Sequence, residues 1–169
     1  MARNIEIKTR IADLDTTRAA AVALGAHHAV TEEQEDRYYE LDSARRVKLR
    51  TVAGVRAELI QYRRPEDEGV RTSDYEVTTV RDEEVGACRV PKGPPLVVVR
   101  KRREVLLFDN VRIHLDVVES LGTFLELEAV VDDVHDEESC RRQVNDILRD
   151  LGLSEMDLIR ASYSDMLRR

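Results

Sequence analysis

The sequence predicts an α+β protein built on a closed, eight-stranded antiparallel β-barrel that is flanked by helices. Eight runs of strand character follow one another between residues 3 and 131, and helical spacing appears only at the edges of this region. Short turn signals between several runs are typical of antiparallel hairpins. Closure into a barrel removes the exposed edges that an open sheet of these strands would leave.

The strands are predicted from apolar residues that recur at every second position. Asp109 and Asn110 separate the sixth run from the seventh, because both residue types tolerate the positive φ of a tight hairpin. Gly122 separates the last two runs. The predicted strands span residues 3–11, 34–41, 46–53, 56–63, 71–80, 96–108, 111–118 and 123–131.

Helices are predicted before the strands and after them. Asp15 is a candidate cap for a first helix that Gly25 ends. Apolar residues recur at helical spacing over 140–151, and Gly152 ends that second helix. Ser154 has the character of a cap for a short final helix near the end of the sequence.

Length and composition restrict the class of protein. The 169 residues suit a single domain over 1–169, and the 42% of hydrophobic residues suffice for a core. A formal net charge of -7 argues against a general nucleic-acid binder. No apolar run approaches the ~20 residues of a membrane span, and none resembles a signal peptide. We therefore expect a cytoplasmic protein with neither nucleic acid nor membrane as its partner.

Most strands divide into an apolar face and a charged face. On the first strand, Ile5 and Ile7 oppose Glu6 and Lys8. The other charged faces carry Lys48 and Arg50 on the third strand, Lys101 and Arg103 on the sixth, Arg112, His114 and Asp116 on the seventh, and Glu126 and Glu128 on the eighth. The sixth strand is less distinct, because Arg100 and Arg102 make its other face basic as well. Alternation alone is also typical of a sheet with one face in water.

Pairs of like charge on one face favour an enclosed site over a solvated face. Neighbours on the same face lie about 7 Å apart and repel unless an opposite charge lies between them. The pairs are Lys48 with Arg50, Lys101 with Arg103, and Glu126 with Glu128. Phosphate oxygens would neutralise the basic pairs, and Mg²⁺ or Mn²⁺ the carboxylates. The charged faces would then line a positively charged barrel interior that traps a polyphosphate, with the helices covering the apolar faces.

An ordered series of motifs resembles the CYTH family, the triphosphate tunnel metalloenzymes. Residues 4–8 are similar to the family signature E-x-E-x-K, with Asn4 in place of its first Glu. The further motifs occupy residues 35–39, 47–50, 59–65, 73–76, 99–103, 112–116, 122–128 and 162–165. Residues 112–128 resemble most the branch labelled class IV adenylyl cyclases.

The resemblance implies an eight-stranded tunnel fold and a set of site residues. The metal ligands for Mg²⁺ or Mn²⁺ would be Glu6, Asp116, Glu126 and Glu128. The phosphate ligands would be Lys8, Lys48, Arg50, Arg63, Lys101 and Arg103. The catalytic residues would be Glu6, Lys8, Glu126 and Glu128. Arg63 is preferred to Arg64 because the family's basic residue stands two positions before a proline, here Pro65. Because Asn4 brings no charge, a second metal ion would be held less firmly.

The resemblance implies a metal-dependent enzyme whose partner is a small-molecule triphosphate, either ATP or inorganic triphosphate. The first hypothesis is a cyclase that converts ATP to cyclic AMP and pyrophosphate. The second is a hydrolase of inorganic triphosphate, a nucleoside triphosphate or thiamine triphosphate. The third is a non-catalytic module that binds polyphosphate. Some members of the family dimerise, so a homodimer is possible.

Overall fold

Eight antiparallel strands and three helices form the described part of the chain. The computed structural model describes residues 2–40, 45–53, 55–63, 71–80 and 93–168, with side chains for 3–39, 47–53, 55–61 and 93–168. The strands are β1 (Ala2–Arg10), β2 (His27–Glu40), β3 (Arg45–Val52), β4 (Arg56–Arg63), β5 (Arg71–Val80), β6 (Val97–Phe108), β7 (Val111–Val118) and β8 (Gly122–Val130). The helices are α1 (Leu14–Ala23), α2 (Glu137–Asp150) and α3 (Tyr163–Leu167), with a 3₁₀ turn at Glu155–Asp157.

The strands pair in the order β1-β5-β4-β3-β2-β6-β7-β8. Strand β1 pairs with β5 on one side and with β8 on the other, so the ladder returns to its starting strand. The predicted antiparallel sheet with few flanking helices is confirmed. Strand β2 begins at His27, well before the predicted residue 34, and pairs there with the second half of β6 across a bulge between His28 and Val30. Residues 27–33 lack the apolar alternation from which strands are predicted.

The apolar faces of β1, β7 and β8 point outward and are covered by α1 and α2. Ile5, Ile113 and Leu127 are each at most 1% exposed and belong to one core cluster with Cys140 and Val144 of α2. Burial of such side chains is the main favourable contribution to folding, about 1.5–3 kcal/mol for each. The helix-covered apolar faces leave the charged faces of these strands on the inside of the sheet.

Two predicted helix starts need correction. The cap of α1 is Asp13 rather than Asp15, because the Thr16 amide donates to Asp13 Oδ1 at 2.6 Å. Ser154 caps only the 3₁₀ turn. The final helix α3 is a separate element that begins after Ser162, whose hydroxyl and the Asp165 carboxylate form a capping box. The S-x-x-D pattern therefore occurs twice in succession and starts two short elements rather than one.

The first residue of α3 reaches into the barrel interior. Tyr163 is 3% exposed and packs edge-on against Phe124, with 5.0 Å between the ring centroids. Tyr38, Val99 and Val118 complete this small apolar cluster from the inner faces of β2, β6 and β7. Within the described part of the chain, no helix is long and apolar enough to cross a membrane.

Candidate functional site

The charged strand faces line the barrel interior. The side chains of Lys8, Lys48 and Arg50 are 12–18% exposed, and those of Lys101 and Arg103 are 2% and 8% exposed. A sheet face in water would leave such side chains open to solvent. The alternative of a solvated face is therefore wrong for these strands. The structure instead brings the predicted basic residues into contact with buried carboxylates.

One cluster gathers three cations around a single carboxylate. Asp36 of β2 is fully buried and accepts two hydrogen bonds from Arg50, from Nε at 2.7 Å and from Nη2 at 2.8 Å. Lys101 Nζ donates to Asp36 Oδ2 at 3.1 Å, and Lys48 Nζ lies 3.6 Å from the same oxygen. We call Asp36, Lys48, Arg50 and Lys101 the Asp36 cluster.

A second cluster is centred on Asp116 of β7. Both carboxylate oxygens accept from Arg103, whose Nε lies 2.7 Å from Oδ1 and whose Nη2 lies 2.6 Å from Oδ2. The Tyr163 hydroxyl also donates to Asp116 Oδ2 at 2.8 Å. Arg103 Nη2 extends further to Glu126 Oε1 at 3.3 Å. Arg103, Asp116, Glu126 and Tyr163 form what we call the Asp116 cluster.

Tyr163→Phe removes the hydroxyl that joins α3 to this cluster. A hydrogen bond to a buried carboxylate is worth about 2 kcal/mol, so we expect the free energy of unfolding to fall by about that amount. Urea denaturation followed by circular dichroism would measure it. Tyr39→Phe is the matched control, because Tyr39 packs on the outer face against Val47 and Leu49. Equal stability of the Tyr163→Phe variant and the wild type would contradict the assignment.

Three carboxylates occupy neighbouring inward positions on β1 and β8. Glu6 is the direct cross-strand partner of Glu128, and Glu126 is the next residue on the same face of β8. Lys8 Nζ lies 3.2 Å from Glu126 Oε2, Asn4 Nδ2 donates to Glu128, and Arg112 Nε lies 3.5 Å from Glu128 Oε2. We call Glu6, Glu126 and Glu128 the carboxylate patch.

The carboxylate patch fits a hard divalent cation in its donor chemistry. Carboxylate oxygens are the ligands that Mg²⁺ and Mn²⁺ prefer, and like charges directly opposite across a ladder are destabilising without a counter-charge. Among the described residues, however, no three His, Cys, Asp or Glu side chains are arranged to hold an ion. Glu126 and Glu128 are turned instead toward basic side chains. A metal at this patch therefore stays a prediction that requires these carboxylates to turn from their present partners.

Asp116 differs from the other three predicted metal ligands. It is fully buried, and both of its oxygens are already engaged by the Arg103 fork and the Tyr163 hydroxyl. Such a bidentate pair is among the strongest that proteins form. The geometry therefore favours Asp116 as the counter-ion of Arg103 over Asp116 as a direct metal ligand.

Burial sets the protonation of the cations in the interior. It lowers the pKa of Lys101 to about 7, against the attraction of Asp36. Burial also lowers the pKa of Lys48, and the neighbouring Arg50 guanidinium lowers it further. The carboxyl of Asp36, by contrast, is held in its charged form. Burial raises its pKa, but Arg50, Lys101 and Lys48 together hold that pKa well below the ordinary value. The cluster therefore combines a firmly ionised carboxylate with a lysine that titrates near neutral pH.

His114 lies between the two glutamates of β8. Its Nδ1 is 3.6 Å from Glu126 Oε1 and its Nε2 is 3.6 Å from Glu128 Oε2. Burial and the charge of Arg103 lower its pKa, so the imidazole is neutral at neutral pH. A buried imidazole that is uncharged at neutral pH favours a structural role over that of a proton donor.

Several interior residues were not assigned a role from the sequence. Asp36 and Tyr163 lie within recognised motifs, but no contact could be inferred for them. Glu32, Gln34, Arg56 and Glu58 form a further inward group on β2 and β4, in which Arg56 bridges the two glutamates. The only available signal was their parity, together with the rarity of Asp in strands. These acids make the described interior less positive than the sequence predicts.

Arg63 ends β4 opposite Arg45 of β3. Its side chain lies outside the described residues, so its phosphate role stays a prediction.

Comparison with known proteins identifies the family. The model of the CYTH domain matches residues 2–163. The chain therefore belongs to the CYTH domain family, and the predicted resemblance is confirmed.

Relatives and solved structures agree with this membership. A Methanocaldococcus jannaschii protein provisionally named an adenylate cyclase is 28% identical, over 96% of this chain and 97% of its own. Adenylate cyclase CyaB of Aeromonas hydrophila is 25% identical, over 94% of this chain and 85% of its own. The PH1012 protein of Pyrococcus horikoshii has a TM-score of 0.83 at 25% identity, over 96% and 98% of the two chains.

A further solved structure shares the fold at lower identity. HpAC1 of Hippeastrum has a TM-score of 0.69 at 17% identity, over 99% of this chain and 95% of its own. It is described as a candidate adenylyl cyclase that has a dominant triphosphatase activity. Its similarity to this chain concerns the fold alone.

Proposed function

We propose that the protein is a metal-dependent enzyme that acts on a triphosphate inside an eight-stranded tunnel. The observation that carries this proposal is the enclosure of five cations within one barrel interior, namely Lys8, Lys48, Arg50, Lys101 and Arg103. Among the described residues, three carboxylates, those of Asp36, Asp116 and Glu126, contact these five cations, so the cations outnumber their contacting carboxylates by two. A triphosphate would supply several further negative charges in a row. A guanidinium also presents a planar fork that matches phosphate oxygens.

The cations would hold and orient the phosphate chain. Arg50 and Arg103 keep their fork geometry through Asp36 and Asp116, so they need no rearrangement when the substrate arrives. Lys8 lies between the carboxylate patch and the Tyr163 ring, 4.1 Å above the ring centroid. From that position its ammonium would donate to a phosphate oxygen that lies next to the carboxylate patch.

The carboxylate patch would hold Mg²⁺ or Mn²⁺. When bound, the ion would neutralise phosphoryl oxygens and lower the pKa of the attacking hydroxyl or water. Glu6, Glu126 and Glu128 are the residues that would hold it, and Asn4 would offer an uncharged oxygen beside them. We therefore expect removal of divalent cations with EDTA to stop turnover and their return to restore it.

The first reaction that we propose is that of a class IV adenylyl cyclase. The ribose 3′-hydroxyl of ATP would attack the α-phosphorus, the bond from that phosphorus to the bridging oxygen would break, and pyrophosphate would leave. The hydroxyl proton would pass to solvent or to a neighbouring base. The names of the two relatives at 25–28% identity favour this reaction.

The alternative is a triphosphatase in which water attacks the terminal phosphorus, the bond from that phosphorus to the bridging oxygen breaks, and orthophosphate forms while the remaining diphosphate leaves. The Hippeastrum protein favours this alternative, because the same fold carries a dominant triphosphatase activity there. The two reactions differ in which phosphorus lies beside the carboxylate patch. A third alternative, a module that binds polyphosphate without turnover, would follow if Asn4 leaves too little charge to hold the metal.

Product analysis separates the three hypotheses. The protein would be incubated with ATP and with tripolyphosphate, with Mg²⁺ or Mn²⁺, and the products resolved by ion-exchange chromatography. Cyclic AMP with pyrophosphate supports the cyclase, and orthophosphate supports the triphosphatase. Binding without a product under every condition leaves the binding module. No binding and no product would contradict all three.

Arg50→Ala is expected to weaken tripolyphosphate binding. The substitution removes one guanidinium fork and releases Asp36 to repel the phosphates, and a charge-assisted contact is worth about 1.5–3 kcal/mol. Isothermal titration calorimetry would measure the loss. Arg102→Ala is the matched control, because Arg102 lies on the outer face of β6 near Glu33, and its removal should leave the affinity unchanged. Unchanged affinity in the Arg50→Ala variant would contradict a phosphate role for the Asp36 cluster.

A further inference from the structure

Asp36 occupies the centre of the cations that the proposed function assigns to phosphate. Its carboxylate contacts Arg50, Lys101 and Lys48 from one inward position on β2. Arg50 is its direct cross-strand partner on β3, while Lys101 comes from the neighbouring strand β6. An acid in the middle of a strand is unfavourable for strand formation, so its presence here calls for a function.

The Asp36 carboxylate fixes the direction of the Arg50 guanidinium as well as neutralising positive charge. Both oxygens accept from the Nε–Nη2 edge of the Arg50 fork, and Oδ2 also accepts from Lys101. The third guanidinium nitrogen, Nη1, is not part of that pairing. A fork held on one edge presents its remaining donors in a fixed direction.

We propose that Asp36 is a positioning residue that keeps Arg50, Lys48 and Lys101 together, charged and aligned as one phosphate-receiving group before the substrate binds. This inference rests on the proposed function. It assigns Asp36 no contact with the reacting atoms, and its effect passes through the three cations.

Removal of the Asp36 carboxylate would lower the positive charge of the site, because the neighbouring lysines would lose their protons. Two buried ammonium groups depend on Asp36 for electrostatic support, and a buried lysine without such support loses its proton. In an Asp36→Asn variant, the pKa of Lys101 should fall below its present value of about 7, and that of Lys48 should also fall. One negative charge would disappear, but up to two positive charges would disappear with it.

The neighbours of Lys101 on every side enter this balance. Asp36 faces it from β2, Arg50 from β3, Asp116 from β7 and Arg103 from its own strand. Tyr163 of α3 lies below its ammonium, 5.5 Å from the ring centroid. Of these groups, Asp36 is the one in direct hydrogen-bond contact with Lys101 Nζ.

The test is the binding of inorganic tripolyphosphate to the wild type and to Asp36→Asn between pH 6 and pH 9. Isothermal titration calorimetry would be run with EDTA and again with Mg²⁺. We expect the variant to bind roughly ten-fold more weakly at pH 6, where Lys101 is protonated in the wild type but has lost its proton in the variant. The ratio of the two affinities should shrink toward pH 9, where Lys101 is uncharged in both proteins. Protonation of the ligand is common to both proteins and cancels in this ratio.

Glu104→Gln is the matched control. Glu104 is a carboxylate on the outer face of β6 that also pairs with an arginine, Arg18, at 2.7 Å. Its replacement removes the same charge from the same sheet without touching the interior. We expect its affinity ratio to remain near one at every pH.

Arg50→Lys provides a second variant if Asp36→Asn does not fold. It keeps the positive charge and the Asp36 carboxylate but replaces the fork with a point charge. We expect roughly ten-fold weaker binding with an unchanged pH midpoint, since the carboxylate that supports Lys101 remains. Unchanged affinity in this variant would overturn the proposal.

The remaining outcomes distinguish this inference from the proposed function. If the wild type binds tripolyphosphate and Asp36→Asn binds it equally at every pH, Asp36 is not a positioning residue. Tighter binding by Asp36→Asn would overturn the proposal too, because Asp36 would then compete with phosphate. Failure of the wild type to bind, with Mg²⁺ and without it, would contradict the proposed function itself, and this inference would fall with it.

Discussion

Replacement of Glu126 by Gln is expected to reduce metal-dependent turnover on the order of a thousand-fold while the protein stays folded. Metal stabilisation of the developing charge is worth several kcal/mol, and each 1.4 kcal/mol corresponds to a factor of ten in rate. Gln keeps the shape of Glu126 and can still accept from Lys8 and Arg103. It does not keep the charge that would bind the cation. Steady-state assays at saturating Mg²⁺, with circular dichroism for the fold, would measure the effect.

The control for this prediction lies on the opposite side of the same sheet. Glu104→Gln removes a carboxylate from the outer face of β6 and should leave turnover unchanged. A second check is the Mg²⁺ dependence of the residual rate in the Glu126→Gln variant, which should move to higher concentrations. Full activity with an unaltered Mg²⁺ dependence would remove Glu126 from the carboxylate patch as a functional ligand.

The second large effect is expected from Arg103→Met. Asp116 is fully buried and depends on the Arg103 fork for its charge, so loss of the arginine leaves a buried carboxylate without its main partner. Breaking a buried ion pair in this way costs about 3–5 kcal/mol. Urea denaturation of the variant and the wild type would give the difference. This loss of stability is expected with no substrate or metal present.

The loss of stability in Arg103→Met should depend on pH. In the wild type, Arg103 holds the pKa of Asp116 below its ordinary value, although burial raises it. Without Arg103, burial would raise that pKa above the value in the unfolded chain. The folded variant would then bind more protons than the unfolded one, so its stability falls as pH rises through the raised pKa. We therefore expect a larger deficit at pH 8 than at pH 5.

A double variant tests the cause of this deficit. Arg103→Met combined with Asp116→Asn removes both members of the pair, so no unpaired charge remains. We expect it to be more stable than Arg103→Met alone at pH 8. If the double variant is less stable than the single variant, the deficit arises from lost packing of the arginine rather than from the charge of Asp116.

The faces of the strands could be predicted because two residues are enough to define them. Lys48 and Arg50 repel each other on one face, and a counter-charge between them relieves that repulsion. The parity of Val47 and Leu49 then gives the outward face. Both expectations hold in the structure: Val47 and Leu49 are buried in an apolar cluster on the outer face, and Lys48 and Arg50 lie in the barrel interior. Strand parity therefore predicted the interior without knowledge of the strand order.

The internal counter-ions could not be predicted in the same way. Asp36 meets Lys101 and Asp116 meets Tyr163 only because β2 pairs with β6 and α3 packs into the barrel. Parity places a side chain on a face but says nothing of which strand lies beside it. The four predicted metal ligands therefore appeared equivalent in the sequence. Pairing separates them, since Asp116 lies opposite Arg103.

The ends of helices and strands were predicted less accurately than the faces of the strands, because they were inferred from short local signals. Asp13 and Asp15 are both good caps two residues apart; in the structure the backbone of Asp13 is extended and its side chain accepts from the Thr16 amide, whereas Asp15 lies within the first turn. The early start of β2 depends on pairing with β6, which supports residues of weak strand propensity. Tertiary pairing outweighs local preference in this stretch.

The central claim is that the barrel interior binds the phosphate chain and that a divalent cation at the carboxylate patch enables its cleavage. The most direct test is a ³¹P NMR time course of ATP and of tripolyphosphate with the wild-type protein and Mg²⁺. The account predicts broadening or shifts of the phosphate resonances on addition of protein, followed by new product resonances whose growth stops when EDTA is added. Unchanged spectra of both compounds, with Mg²⁺ and with Mn²⁺, would contradict it.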